Sequence, residues 1–228
     1  MKRGFTILAF VTAVLLCFAL YEALIVAPTE QTMGNVQRIF YYHVPSAWTA
    51  FLLFLINFVS SIVYLIRRNT KADILALVTA EVGVVFCTVV LITGPIWARP
   101  VWGIWWAPGD IRLTTTLVLW LIYISYLVVR RFSTSGKTPV IAAVVAIFGA
   151  LDVPLVYFSI WFFRTQHPSP VIGDGGALDP RMAHVLLINW AAFLCLGWLF
   201  CWTRYRLEFL KREVEEAQAL ESLMEVRR

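Results

Sequence analysis

Charged side chains are scarce in this sequence. They make up 14% of its 228 residues, whereas 60% of the residues are hydrophobic. Soluble domains typically contain about 25% charged and roughly 45–50% apolar residues. The composition therefore excludes an ordinary soluble domain and predicts an integral membrane protein. The net charge of +5 does not predict a nucleic-acid partner, because the basic residues follow the membrane topology described below.

Paired cysteines and nucleotide-binding motifs are also missing. None of the four cysteines belongs to a Cys-x-x-Cys pair, which excludes the usual redox motif and the common zinc site. All four lie in apolar stretches, and we expect them to be small packing residues. The sequence has no phosphate-binding loop, so any energy from nucleotide hydrolysis would have to come from a partner protein.

Long apolar stretches dominate what is present. A bilayer core of about 30 Å requires roughly 20 apolar residues as helix. Six stretches reach that length, at residues 5–27, 47–66, 74–96, 113–129, 140–163 and 183–203. The first follows a basic start, as in a signal peptide, but its apolar run is too long for one and ends without a small-residue cleavage site. We therefore predict an all-α protein with six transmembrane helices, the first of them retained.

The basic residues predict the orientation of these spans. Most of them lie at the two termini and in the connections between spans 2 and 3 and between spans 4 and 5. The positive-inside rule places that side, with both termini, in the cytoplasm. We thus predict a membrane domain over residues 1–203 and a cytoplasmic amphipathic tail over residues 204–228. The tail has an apolar stripe that consists of Leu210, Val214, Ala217 and Met224. Such a helix can lie on the membrane surface, bind a cytoplasmic partner or remain in solvent.

The external connection between spans 3 and 4 is rich in tryptophan. This tryptophan-rich segment, residues 97–114, reads WARPVWGIWWAPGDIRLT and contains four tryptophans. Tryptophan is a common anchor at the membrane interface, but anchors do not require the arginines and the aspartate found among them here. The prolines and glycines argue against a continuous helix. We interpret the segment as an aromatic surface for a large, flat ligand; a belt of anchors in an ordered loop is the alternative.

All three histidines map to the external side. His43 precedes the second span, His167 follows the fifth, and His184 opens the sixth. Two histidines on separate loops beside an apolar aromatic surface suit the axial ligation of haem iron; plain polar loop residues are the alternative. The haem propionates would need cations, and guanidinium groups match carboxylates well. The external arginines are Arg38, Arg99, Arg112, Arg164 and Arg181.

Two acidic residues lie within predicted spans. Glu81 falls in the third span and Asp152 in the fifth, and ionisable groups at such depth are a functional hypothesis by default. We expect no lysine, arginine or histidine to pair with them at the same depth. If both acids carry protons or ions, the protein is a proton- or ion-coupled transporter, which is the alternative function. The other interpretation is that the two acids are protonated or hydrogen-bonded packing groups. An electron-transfer subunit is less well supported, because its histidines would lie within the bundle rather than at the external ends.

Several sequence runs resemble a known family. WGIWWAPGDIRLT resembles the tryptophan-rich WWD signature of the haem-handling proteins of cytochrome c maturation, and RIFYYHVPSAW resembles the histidine segment of the CcmC branch. The likeness continues through LITGPIWARPVWG and LDPRM and covers nearly the whole chain. It implies a protein of the bacterial inner membrane that binds b-type haem transiently, with its haem site facing the periplasm, and that is not an enzyme.

The resemblance also implies a set of site residues and partners. The axial ligands would be His43 and His167, whereas His184 would be a helix-entry residue. The aromatic platform of the family matches Trp102, Trp105 and Trp106, and Asp110 and Arg112 end its signature. Arg38 and Arg99 are further candidates from the external arginines. Haem would pass to the haem chaperone CcmE. The small membrane protein CcmD and the transporter pair CcmA and CcmB would complete the complex.

The tryptophan that precedes the aspartate in the family signature is absent here. Ala107, Pro108 and Gly109 stand between Trp106 and Asp110, which makes the segment one residue longer than the signature. We expect the loop to turn differently and the aromatic surface to have one indole fewer.

Overall fold

A computed structural model describes residues 2–133, 135–163, 166–167 and 178–226. Within these ranges the structure is helical and contains no strand. The helices are α1 (Lys2–Tyr21), α2 (Phe40–Arg67), α3 (Thr70–Trp102), α4 (Ile111–Phe132), α5 (Thr138–Ala150), α6 (Asp152–Phe162) and α7 (Pro180–Val226). A π-helical turn over Glu22–Val26 extends α1, and a 3-10 turn over Asn35–Ile39 leads into α2.

Six helical segments are long and apolar enough to cross a membrane, which confirms the predicted number of spans. They are Arg3–Val26, Asn35–Arg67, Thr70–Trp102, Ile111–Phe132, Thr138–Phe162 and Pro180–Glu225. Because consecutive spans are antiparallel, the start of α2, the end of α3, the start of α4 and the end of α6 lie at one end of the bundle. The residues predicted to be external are concentrated at these helix ends.

The centre of the bundle is an α2–α3 hairpin. Arg68 adopts a left-handed conformation with φ of 53° that ends α2, and the Asn69 side chain caps α3 by accepting from the backbone N–H of Lys71 at 2.8 Å. In the core between these helices the Phe54 ring stacks on Tyr123 of α4, with ring centroids 3.8 Å apart. This packing makes α2, α3 and α4 one unit that carries most of the candidate site.

The fifth span consists of two helices rather than the single helix predicted over residues 140–163. α5 ends at Ala150 and α6 begins at Asp152, with Leu151 in a turn between them. Pro154 explains the break, because it has no N–H to donate to the Ala150 carbonyl and its ring crowds that carbonyl. The stretch is still one helical span over Thr138–Phe162, with a turn at Leu151 inside it.

Two helix ends also differ from the prediction. α3 continues to Trp102, so the tryptophan-rich segment is helical over residues 97–102 despite Pro100. Gly103 then ends the helix, with φ of 77° and its N–H bonded to the Arg99 carbonyl. The irregular backbone expected throughout the segment is confined to residues 103–110. α2 begins at Phe40, so His43 lies in its first turn and not before the span.

The last helix leaves the membrane without a break. α7 contains 47 residues, or about 70 Å at 1.5 Å per residue, which is more than twice the thickness of a bilayer core of about 30 Å. The predicted tail is thus a continuation of the sixth span. Its apolar residues are exposed at Leu210, Val214 and Met224.

Glu81 has a cationic partner, so the prediction that it has none is wrong. Arg204 of α7 lies 2.7 Å from the Glu81 carboxylate and 3.2 Å from that of Glu208. Arg212, two turns further along α7, pairs with Asp73 of α3 at 2.9 Å. The same aspartate accepts two hydrogen bonds from Arg130 of α4, at 2.6 and 2.9 Å. This network joins α3, α4 and α7 at the end of the bundle opposite the tryptophan-rich segment.

Asp152 lies at the start of α6 and is 8% exposed. Its Oδ2 atom has no hydrogen-bond partner among the described residues.

Candidate functional site

A cavity opens where α2, α3, α4 and α6 meet. Five of the predicted site residues line it: His43, His167, Trp102, Trp106 and Arg112. Much of the remaining wall is apolar and includes Phe51, Val90, Leu91, Pro95 and Val156. A mostly apolar cleft with a few polar groups converging on it is the usual form of a site for a cofactor or small molecule.

The two predicted axial ligands lie side by side in this cavity. The imidazole ring centroids of His43 and His167 are 6.3 Å apart, and the ring planes differ by 33°. Metal–imidazole bonds of about 2.0–2.1 Å and a ring radius of about 1.2 Å place the centroids of two opposed ligands about 6.4 Å apart. The two centroids are thus about as far apart as those of two imidazoles that bind one metal ion.

His43 is held by a residue that the sequence reasoning did not identify. Its Nδ1 atom lies 2.9 Å from the Thr93 hydroxyl, which in turn donates to the Val89 carbonyl at 2.7 Å. Thr93 lies on α3, one helical turn before Trp97. A hydroxyl in the LITGPIW run directly ahead of the tryptophan-rich segment was the only sequence signal for it.

The four tryptophans of the segment do not all face the cavity. Trp102 and Trp106 line it, as does Trp97, and the Trp97 and Trp102 rings meet edge to face with centroids 5.2 Å apart. Trp105 is not among the described lining residues and is 59% exposed. The cavity-facing aromatic surface thus consists of Trp97, Trp102 and Trp106, and Trp105 points into the surroundings.

Of the described arginines predicted to be external, Arg112 in the first turn of α4 lines the cavity. Arg38 donates to the Ala23 carbonyl at 2.6 Å, and Arg99 donates to the Gly103 carbonyl. Arg181 pairs with Asp179 at 3.0 Å. Arg164 lies outside the described residues. Arg112 is therefore the guanidinium best placed to meet an anionic group of a ligand in this cavity.

Asp110 connects two parts of the site. It is 3% exposed, and its Oδ1 atom caps α4 by accepting from the Leu113 N–H at 3.1 Å. Its Oδ2 atom accepts from the backbone N–H of Gln166 at 2.8 Å. Because Gln166 directly precedes His167, the carboxylate joins the start of α4 to the segment that carries the second histidine.

The three residues that depart from the family signature form a tight turn before Asp110. The Asp110 N–H donates to the Ala107 carbonyl at 2.9 Å, which closes a four-residue turn. Pro108 occupies the second position of this turn, where its restricted φ is favourable. The turn that contains the extra residue thus lies directly before the α4 cap.

His184 lies elsewhere. It is exposed on α7 and lines a separate depression with Glu22, Val26, Pro28, Pro180 and Arg181. The structure therefore brings His43 and His167 together and leaves His184 apart from them.

Comparisons with known proteins give a consistent result. The sequence model of the family CcmC, described as Heme exporter protein C, matches residues 1–220. The chain is 32% identical to the Heme exporter protein C of Bradyrhizobium diazoefficiens, over 94% of this chain and 82% of that protein. It is 30% identical to the Heme exporter protein C of Haemophilus influenzae, over 91% of this chain and 85% of that protein. A putative cytochrome c biosynthesis ccmC-like mitochondrial protein of Marchantia polymorpha is also 30% identical, over 82% of this chain and 79% of that protein.

Proposed function

The chain belongs to the Heme exporter protein C family, and on that premise we propose that it binds one haem between His43 and His167 and presents it for cytochrome c maturation. The observation that carries this proposal is the pair of imidazoles 6.3 Å apart in an aromatic-lined cavity. Imidazole is a common axial ligand of haem iron, and the cavity supplies apolar walls for the macrocycle.

The cavity residues have distinct roles in this proposal. His43 and His167 coordinate the iron, and Trp102 and Trp106 contact the face or edge of the macrocycle. Arg112 meets a propionate, because a guanidinium forms paired hydrogen bonds with a carboxylate. Arg38 and Arg99 already donate to backbone carbonyls near the site. Their contact with the propionates stays a prediction.

We propose that the haem is b-type and is bound without a covalent link. Covalent attachment through cysteine uses a Cys-x-x-Cys-His run, and no such run exists in the sequence. Coordination by two histidines alone allows the haem to leave when another protein offers a ligand. Transient binding is what a protein that delivers haem requires.

Delivery takes place on the outer face of the bacterial inner membrane. The distribution of basic residues supports this orientation, since the positive-inside rule predicts a periplasmic position for the end of the bundle that carries the cavity. The proposed recipient is the haem chaperone CcmE, and the exposed indole of Trp105 is available to contact it. CcmD and the CcmA–CcmB transporter are the proposed further partners, and they would supply the energy that this chain has no motif to provide.

The alternative function, a proton- or ion-coupled transporter, is less well supported because one of its two acids has a cationic partner. Glu81 is paired with Arg204, in the ion-pair network that joins α3, α4 and α7 at the end of the bundle opposite the cavity, which gives it a structural role. Asp152 alone does not form a path across the membrane. We therefore keep haem presentation as the proposed function.

The test is an absorption spectrum of the purified protein after addition of haem, with and without the chaperone. We expect a low-spin spectrum typical of two histidine ligands. His43→Ala and His167→Ala should each abolish it and stop transfer to the chaperone, whereas the control His184→Ala should retain both. A protein that binds no haem, or whose spectrum is the same in all three variants, would contradict the proposal.

A further inference from the structure

The contact between His43 and Thr93 bears on which ring nitrogen of the histidine carries the proton. A neutral imidazole has one protonated and one unprotonated nitrogen, and only the unprotonated one can bind a metal. The Thr93 hydroxyl has a single proton, which is directed to the Val89 carbonyl at 2.7 Å. With its proton in that bond, the oxygen can accept from an Nδ1–H of His43, whose Nδ1 atom lies 2.9 Å away.

This arrangement favours one tautomer of the ring. If Nδ1 donates to Thr93, Nδ1 carries the proton and Nε2 has a free lone pair. The opposite tautomer would require Thr93 to give up its bond to Val89 and would leave Nε2 protonated and unable to bind iron. Gly94 lies beside the ring and adds no polar side chain there: a Cβ atom built at this glycine would be 3.5 Å from Cε1 of His43.

We propose that Thr93 is a positioning residue for the haem site, which holds His43 in the tautomer whose Nε2 atom is free to bind iron. This inference rests on the proposed function. A hydrogen bond to the other ring nitrogen fixes the orientation of a histidine ligand and increases its basicity, and removal of such a partner typically costs about 10–100-fold in metal affinity. Thr93 would thus act on haem through His43 rather than by touching the iron.

The chain contains a closely matched control on the same helix. Thr88 donates to the Val84 carbonyl at 2.7 Å and accepts from the indole N–H of Trp120 at 2.8 Å. Replacement of Thr88 by valine removes a hydroxyl that, like that of Thr93, bonds to a backbone carbonyl and to a side-chain nitrogen. It does not remove the partner of His43. Thr93→Ser is the second control, because it keeps the hydroxyl.

The first measurement needs no haem. The full-length protein, labelled with ¹⁵N-histidine and held in lipid nanodiscs at about pH 8, where ordinary histidines are neutral, reports the tautomer by the ¹⁵N shifts of its three histidines. We expect protonated Nδ1 at His43 in the wild-type protein, in Thr93→Ser and in Thr88→Val. Thr93→Val should shift the ring towards the other tautomer.

The second measurement is a haem titration of the same four proteins. We expect Thr93→Val to bind haem about 10–100-fold more weakly, with Thr93→Ser and Thr88→Val close to the wild-type protein. Protonated Nε2 in the wild-type apoprotein, or equal haem affinity of Thr93→Val and the wild-type protein, would overturn this inference alone. A wild-type protein that binds no haem would overturn the proposed function and the inference with it.

Discussion

The Oδ2 atom of Asp110 accepts a hydrogen bond from the backbone N–H of Gln166 at 2.8 Å, across 56 residues of sequence. The other oxygen of the same carboxylate caps α4. One buried side chain therefore orders both the helix start that carries Arg112 and the segment that carries His167. The geometry supports a role for Asp110 as a support of the haem site, beside the direct contact with haem that the family resemblance implies.

Replacement of Asp110 should separate its two roles. Asp110→Asn keeps one oxygen for the α4 cap but replaces the other with an amide that cannot accept from Gln166. We expect near-normal folding with weakened haem binding through His167. Asp110→Ala also removes the cap, at a cost of about 0.5–2 kcal/mol, so its melting temperature should fall further. Equal haem titrations of Asp110→Asn and the wild-type protein would contradict the proposed link.

The exposed and the cavity-facing indoles should behave differently. Trp106→Ala removes an aromatic contact from the cavity, and aromatic contacts of this kind contribute about 0.5–1.5 kcal/mol. Haem affinity should therefore fall by up to about tenfold. Trp105→Ala should leave haem affinity unchanged and lower only the rate of transfer to the chaperone. A titration followed by a transfer assay separates the two effects, provided that both variants are present at wild-type levels in the membrane.

Arg112 should matter more than the arginines that bind backbone carbonyls. A hydrogen bond to a charged group contributes about 1.5–3 kcal/mol, so loss of a propionate contact in Arg112→Ala should weaken haem binding by about 10–100-fold. Arg38→Ala should have a smaller effect, since its guanidinium is bonded to the Ala23 carbonyl. Affinities for haem and for a haem dimethyl ester, measured side by side, provide the check. Arg112→Ala should bind the two equally, and a preference for haem as strong as that of the wild-type protein would argue against the contact.

Glu81 should be important for stability rather than for transport. Its pair with Arg204 is partly exposed, and such pairs contribute about 1 kcal/mol or less. We expect Glu81→Gln to lower thermal stability slightly and to leave haem binding and delivery intact. The double variant Glu81→Gln with Arg204→Gln should lose less stability than the sum of the single variants. Loss of haem delivery in Glu81→Gln would return the transporter hypothesis to consideration.

The helix ends show where local sequence patterns stop being informative. Pro100 predicts a break in the helix, but α3 continues through it. The helix ends at Gly103 instead. In the fifth span, by contrast, Pro154 does break the helix. A proline removes one backbone donor in both places, and whether the helix continues depends on the packing of neighbouring spans, which the local sequence does not contain.

The sequence by itself determined the number of spans and placed the histidines and tryptophans at one end of the bundle. Bilayer thickness sets the length of an apolar run, and consecutive spans alternate in direction, so both can be read along the chain. Only the tertiary structure decided that Thr93 holds His43, that Asp110 reaches Gln166 and that Arg204 pairs with Glu81. Each of these contacts joins residues at least 50 positions apart, and it depends on the rotation and depth of one helix against another. That relative placement results from side-chain packing across the whole bundle, so no single stretch of sequence predicts it.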